Sequence, residues 1–234
     1  RFCRIPGKIV NGDTPAIACD HYHRFSEDVS LMESLKLNSY RFSIAWPRIF
    51  PVGGGRPNVK GVDFYNRLVD ELLAAGIRPM ATLYHWDLPQ ALQDKGGWIA
   101  RDTAKYFVDY AAYMFEALGD RVDLWITHNE PWVAATLGYG TGEHAPGVSH
   151  MPSALAAAHN ILLSHGEAVR AFRDLSRQGA RIGITLNMSP VYPASSNECD
   201  VLAAQRWDGC LNRWYADPLF LGSYPEDIME LYLR

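Results

Sequence analysis

The chain has 234 residues, 48% of them hydrophobic and 21% charged, the balance of an ordinary soluble globular protein. A formal net charge of −4 leaves no basic footprint and argues against nucleic acid as a partner. The longest apolar runs fall far short of the ~20 residues that a membrane helix needs, so no membrane partner is expected.

Read in chain order, helix-like and strand-like segments alternate. "SEDVSLMESLKL" places Val29, Met32 and Leu35 at helical spacing and predicts a helix over 26–37 with Ser26 as its N-cap. "SYRFSIAW" follows as a short β-rich run. "GGGRPN" at 53–58 lacks the G-K-[ST] ending of a phosphate loop and reads as a plain connection. "GVDFYNRLVDELLAAG" carries Phe64, Leu68, Leu72 and Ala75 on one stripe, with Gly76 as its stop. "IRPMATLYHW" is the next strand. Residues 102–118 read as a helix and "VDLWITHNE" as a strand. A long helix is expected over 153–178, then the strand "RIGITLN", then a helix over 200–215. The opening on Arg1 and the uncapped helical pattern of "DIMELYLR" both read as cut ends, so residues 1–234 are expected to be one partial domain. Cys3, Cys19, Cys199 and Cys210 form no C-x-x-C pair. They read as free thiols of a reducing compartment, which points to the cytoplasm.

Strands separated by helices imply a parallel sheet with right-handed crossovers. The strand runs are apolar on both faces, as in a sheet covered by helices. No G-x-G-x-x-G turn follows a strand, which argues against a dinucleotide fold. Three successive strands end in polar residues, "YHWDLP", "THNEP" and "LNMSP". They deliver His85, Asn129, Glu130 and Asn187 to one rim. That convergence favours an α/β fold of the (β/α)8 TIM-barrel type, whose active sites lie at the carboxyl ends of the strands, over a doubly wound sheet. About four strands are visible, at most half a barrel.

On that rim Glu130 is the leading catalytic candidate. Its neighbours Asn129, Pro131 and Trp132 are neutral or apolar, and partial burial among them would favour a protonated carboxyl able to serve as an acid. The competing reading is a structural ion pair. Asn129 can donate and accept, which suits a substrate hydroxyl. His85 and Trp86 offer a ring donor and a stacking plate, or simply rim packing. Asn187 opens "NMS", but a strand-end position argues against glycosylation. Arg41 lies within a strand and needs an anionic partner that this chain does not supply in any obvious place. Asp87 reads as structural, and Glu143 as a loop residue. His21 with His23, and His159 with His165 six apart on a helix, make weak metal sets, so no metal is expected. No G-x-S-x-G elbow supports a serine nucleophile.

"YRFSIAWPRIFP", "LYHWDLPQAL", "GGW", "THNEPW", "GYGTGEHAPG" and "NRWYADPLFLGSYP" are similar, in order, to successive blocks of glycoside hydrolase family 1. The resemblance implies a (β/α)8 retaining β-glycosidase of β-glucosidase type. This chain would cover roughly strands two to five with their helices. It implies that Glu130 is the acid/base, that Asn129 and His85 bind sugar hydroxyls with Trp86 nearby, and that Trp132 forms an aglycone platform. Asn187 would line the pocket, and Arg41 would orient a nucleophilic glutamate. That glutamate's T-E-N-G block is absent here. The implied partners are a β-glucoside or related saccharide and the remaining half of the barrel, with no cofactor. An isolated chain of this kind is expected to be inactive. Two other readings stay open: a non-catalytic sugar-binding or interaction protein on a degraded barrel, and an aldolase. The second would want a strand-end lysine. Lys8, Lys36, Lys60, Lys95 and Lys105 all fall in loops or helices.

Overall fold

The computed structural model describes residues 1–14 and 17–233. Its frame is four parallel strands, β1 (Ser39–Ser43), β2 (Arg78–Tyr84), β3 (Leu124–Asn129) and β4 (Arg181–Thr185), paired in chain order as one open sheet. This is the arrangement expected of half a (β/α)8 barrel. Helices cover one face. The major ones in chain order are α1 (His21–Ser34), α2 (Val59–Ala74), α3 (Asp102–Leu118) and α4 (Met151–Leu175), followed by α5 (Glu198–Asp208), α6 (Trp214–Phe220) and α7 (Glu226–Tyr232). No described helix is long and apolar enough to cross a membrane.

The apolar periodicity explains the helices. Phe64, Leu68 and Leu72 of α2 are buried. The helix stops at Gly76, whose φ of 70° is a left-handed value that glycine adopts without strain. The Gly76 N–H donates to Leu73 at 3.0 Å and the Ile77 N–H to Leu72 at 2.8 Å, closing a Schellman motif that hands the chain to β2. Helix α3 has the bounds expected, with Phe107, Tyr110, Met114 and Leu118 buried along one stripe. Its Tyr110 ring stacks on Trp46 at 5.2 Å, and its hydroxyl reaches the carbonyls of Ile44 at 3.1 Å and Leu83 at 2.9 Å. One side chain thus ties the ends of β1 and β2 to the helix layer.

Three boundaries differ from the sequence reading. Helix α1 begins at His21, and Ser26 lies inside it rather than capping it. The early start is supported by the His21 imidazole, which pairs with Asp28 at 2.6 Å, while the Ser26 hydroxyl donates to Glu71 of α2 at 2.9 Å. Helix α4 is shifted to Met151–Leu175, with Pro152 in its first turn, where a missing N–H costs nothing. The helix expected over 200–215 starts at Glu198, because the Asn197 side chain accepts the Cys199 N–H at 2.9 Å. It then widens into a π-helical turn, Gly209–Arg213, and continues as α6. A side chain at Gly209 would collide with Ile228 of α7, so the bare backbone there lets α7 dock. Of "DIMELYLR", Arg234 lies outside the described residues.

Two histidines lie between β3 and α4, His128 fully buried and His165 half-buried. His128 Nε2 meets the Ser164 hydroxyl at 2.8 Å and His165 Nδ1 meets the Thr127 hydroxyl at 2.8 Å, whereas His159 lies on another face of α4 beside Tyr224. Burial pushes both imidazoles down, His128 well below its ordinary value and His165 to about 4. Each stays neutral when folded and takes up a proton more readily when unfolded. Their contribution is therefore intact above about pH 6.5 and is lost as pH falls toward about 4. For His165 alone it is on the order of 3 kcal/mol. The urea midpoint should drop across this window, and His165→Gln should flatten that dependence. An equally steep drop in the variant would contradict the assignment.

Candidate active site

In a parallel pair, side chains in register share a face. Ser39, Arg41 and Ser43 point to the open face, where they are exposed, while Phe42 is buried against the helices. The register Arg41↔Met80↔Leu124 and Ser43↔Thr82↔Ile126 carries that face across the sheet. Strict alternation beyond Ile126 would put His128 on the open face and Asn129 in the core. The opposite is observed. Ile126 pairs with Gly183 and Asn129 with Thr185, so β3 spends one residue more than β4 over this interval. Thr127 faces α4 as alternation requires, and the bulge turns His128 to the same side and delivers Asn129 to the open face.

There the Arg41 guanidinium donates through Nη2 to Asn129 Oδ1 at 2.6 Å and through Nε to the Thr82 hydroxyl at 2.9 Å. Among the described residues no carboxylate pairs with Arg41. With its amide oxygen taken by Arg41, buried Asn129 has its N–H₂ left as a donor. The Asn129 carbonyl accepts the indole N–H of Trp86 at 2.9 Å, so that ring donor is spent inside the protein. Trp86 itself has a φ of 79°, strained for a residue with a side chain, and its ring faces His85 at 5.0 Å and His144 at 5.4 Å.

Glu130 is likewise left-handed, with a φ of 49°. Its N–H donates to the Thr185 carbonyl at 2.9 Å, which pins the turn to β4, and its own carbonyl accepts from Ala134 at 3.2 Å as the chain enters a π-helical stretch, Val133–Gly140. Pro131 follows, where the absent N–H is no loss. The Glu130 side chain is half-buried. Among the described residues it makes no salt bridge, so the ion-pair reading finds no partner. Its field is felt at His85. Burial and the Arg41 cation push the His85 imidazole below its ordinary value, and the Glu130 carboxylate pulls the other way. Arg41, His85, Asn129, Glu130 and Trp86 therefore form one electrostatically coupled cluster on the rim.

Trp132 and Asn187 are half-buried at the same end of the sheet, and no hydrogen bond among the described residues ties either to that cluster. The loop carrying Asn187 is clamped by Asn212, which accepts the Ser189 N–H at 3.1 Å and donates to the Ser189 carbonyl at 2.8 Å. Sequence reasoning missed Asn212 and Thr82. The polar residue inside the otherwise apolar "MATLY" was the only signal for Thr82. Beside the cluster, a cavity of about 1150 Å³ is bounded by Trp86, Asp87, Leu88, Tyr139, Glu143 and His144. Arg41, Asn129 and Glu130 sit outside it, on the uncovered sheet face.

β-Glucosidase A of Acetivibrio thermocellus is 53% identical over 234 residues, which is all of this chain and 52% of that protein. β-Glucosidase A of Thermotoga maritima is 48% identical, matching 98% of this chain and 51% of the relative. The crystal structure of the AHE enzyme from Alicyclobacillus herbarius superimposes with a TM-score of 0.96 at 53% identity, covering 99% of this chain and 52% of that one. A Thermotoga maritima β-glucosidase solved in complex with glucoimidazole gives a TM-score of 0.96 at 48% identity, with 98% and 52% covered. The chain thus spans about half the length of the curated relatives it matches. The family model for Glycosyl hydrolase family 1 matches residues 1–234, and the chain belongs to that family.

Proposed function

We propose that this chain is one section of a retaining β-glucosidase-like hydrolase in which Glu130 acts as acid and then base. The observation that carries the reading is the cluster itself. A carboxyl with no ion-pair partner among the described residues stands next to the Asn129 amide, and its charge and that of Arg41 are both felt at His85, at the carboxyl end of a parallel sheet. Asn129 and His85 would hold sugar hydroxyls, with Trp86 and Asn187 lining the same sugar's site. Trp132 would face the leaving group. The saccharide class rests on the relatives named β-glucosidases and on the glucoimidazole and deoxynojirimycin complexes of the Thermotoga maritima enzyme.

Double displacement needs a second carboxylate about 5–5.5 Å from the first. Among the described residues no glutamate other than Glu130 directly follows a strand end. Arg41, on the open face without a carboxylate partner among the described residues, would orient one supplied from outside these residues. The half-length coverage supports the same view, with residues 1–234 as part of a larger catalytic domain. So do the exposed Leu31, Leu35, Phe220 and Leu221. A cytoplasmic setting is our reading of four cysteines that are all unpaired. A complementary half-barrel would cover the open face and its two free strand edges.

In the whole-length protein, Glu130→Gln should lower kcat/KM on an alkyl β-glucoside by ~10²–10⁴-fold, the usual range for a lost general acid. A dinitrophenyl β-glucoside, whose leaving group needs no proton, should show a much smaller loss in its first step. Equal losses on both would count against the acid role. The isolated 234 residues should turn over neither substrate and should self-associate on a sizing column. Turnover by that chain alone would refute the two-carboxylate reading.

A further inference from the structure

The peptide group that joins Asn129 to Glu130 is held from both sides. A peptide is planar, so fixing its oxygen and its N–H fixes the plane. The oxygen accepts the Trp86 indole N–H at 2.9 Å, from the β2 side of β3. The N–H donates to the Thr185 carbonyl at 2.9 Å, on the β4 side. The β4 hold is backbone to backbone, as in any sheet. The β2 hold is a side chain. The last pair of β2 with β3 is Tyr84↔His128, and one residue further along β3 the indole N–H takes the part of a ladder donor. Trp86 lies two residues past the end of β2, where its left-handed φ of 79° turns the chain. Its ring is half-buried and packed on the hydrophobic core, with His144 at 5.4 Å on its exposed flank, so the donor is not free to follow a moving peptide.

Glu130 is the residue that needs such a hold. Its φ of 49° is a conformation that a residue with a side chain keeps only when its surroundings over-determine it. If the 129–130 peptide tips, the Glu130 backbone relaxes and its side chain swings with it. An indole N–H spent on a backbone carbonyl is also not available to a sugar hydroxyl. We propose that Trp86 is a positioning residue for Glu130: its indole N–H fixes the 129–130 peptide, and through it the left-handed backbone that directs the carboxyl toward a leaving group. The catalytic half rests on the acid/base reading above; the backbone half does not. A ring that served only as a plate for the sugar would act on every glucoside alike. A ring that positions the acid acts on the glucosides that need the acid.

The test uses the whole-length protein and Trp86→Phe, which keeps an aromatic ring and removes the N–H. On an alkyl β-glucoside kcat/KM should fall by ~10²-fold, the loss that a misplacement of about 1 Å brings. On a dinitrophenyl β-glucoside it should fall far less, because that leaving group departs without a proton. Glu130→Gln, measured beside it, sets the full span between the two substrates. Equal losses on both in Trp86→Phe, where Glu130→Gln separates them, overturn the proposal and leave Trp86 a sugar contact. The backbone half is read by hydrogen exchange at the Glu130 amide, selected with nitrogen-labelled glutamate and carbonyl-labelled asparagine and assigned by its loss in Glu130→Gln. Exchange there should quicken roughly fivefold in Trp86→Phe, the effect of one lost hydrogen bond. Unchanged exchange overturns the proposal. If Trp86→Phe does not fold, 3-benzothienylalanine at position 86 keeps the bicyclic shape with sulfur in place of the N–H, and the same two readings apply. If Glu130→Gln fails to separate the substrates, the acid reading falls, while exchange at the Glu130 amide still decides whether Trp86 holds that peptide.

Discussion

The extra residue in β3 between Ile126 and Asn129 is the constraint on which the rim depends. It breaks the two-residue alternation at one point, and that break keeps His128 in the core beside Thr127 and sends Asn129 to the open face. The cost is carried by His128, a polar ring sealed among Phe107, Trp98 and Tyr84 with only the Ser164 hydroxyl as a polar contact among the described residues. The return is a 2.6 Å bond between Arg41 and Asn129, which joins β1 to β3 across the intervening strand. Thr82 of that strand steadies the same guanidinium.

Around this bond the rim is built from backbone as much as from side chains. Both Trp86 and Glu130 are left-handed, and each is locked by a neighbouring strand end: the Trp86 indole by the Asn129 carbonyl, the Glu130 N–H by the Thr185 carbonyl. Strain concentrated at two adjacent turns and over-determined by hydrogen bonds is what a preorganised polar site requires, because the groups do not have to move when a ligand arrives. The helix layer supplies the rigidity. Tyr110 bridges the ends of β1 and β2, and Trp46 stacks on it.

The electrostatics of the rim are unbalanced in a consistent way. Among the described residues Arg41 is bonded only to neutral oxygens and Glu130 has no cation, and the two act on His85 in opposite senses. A cation and an acid held apart by an amide suit a ligand with hydroxyls to bind and a developing charge to stabilise. They do not suit a purely structural network, which would have closed the ion pair.

Much of this was legible in the residues alone. The four strands, the bounds of α3, the Gly76 stop and the arrival of His85, Asn129 and Glu130 at strand ends all follow from period, turn chemistry and the break at Pro131, which are local properties of the chain. The start of α1 was not, because it depends on a pairing of His21 with Asp28 two turns along and on a contact between Ser26 and α2. Nor were the partner of Arg41, 88 residues away, and the burial of Asp87 beside Arg48 and Tyr110. The sequence by itself determined which polar groups reach the rim. Only the tertiary structure decided which face each one takes and what it touches, because a side chain's face depends on strand register, and the bulge that sets register in β3 exists only once β4 has docked beside it.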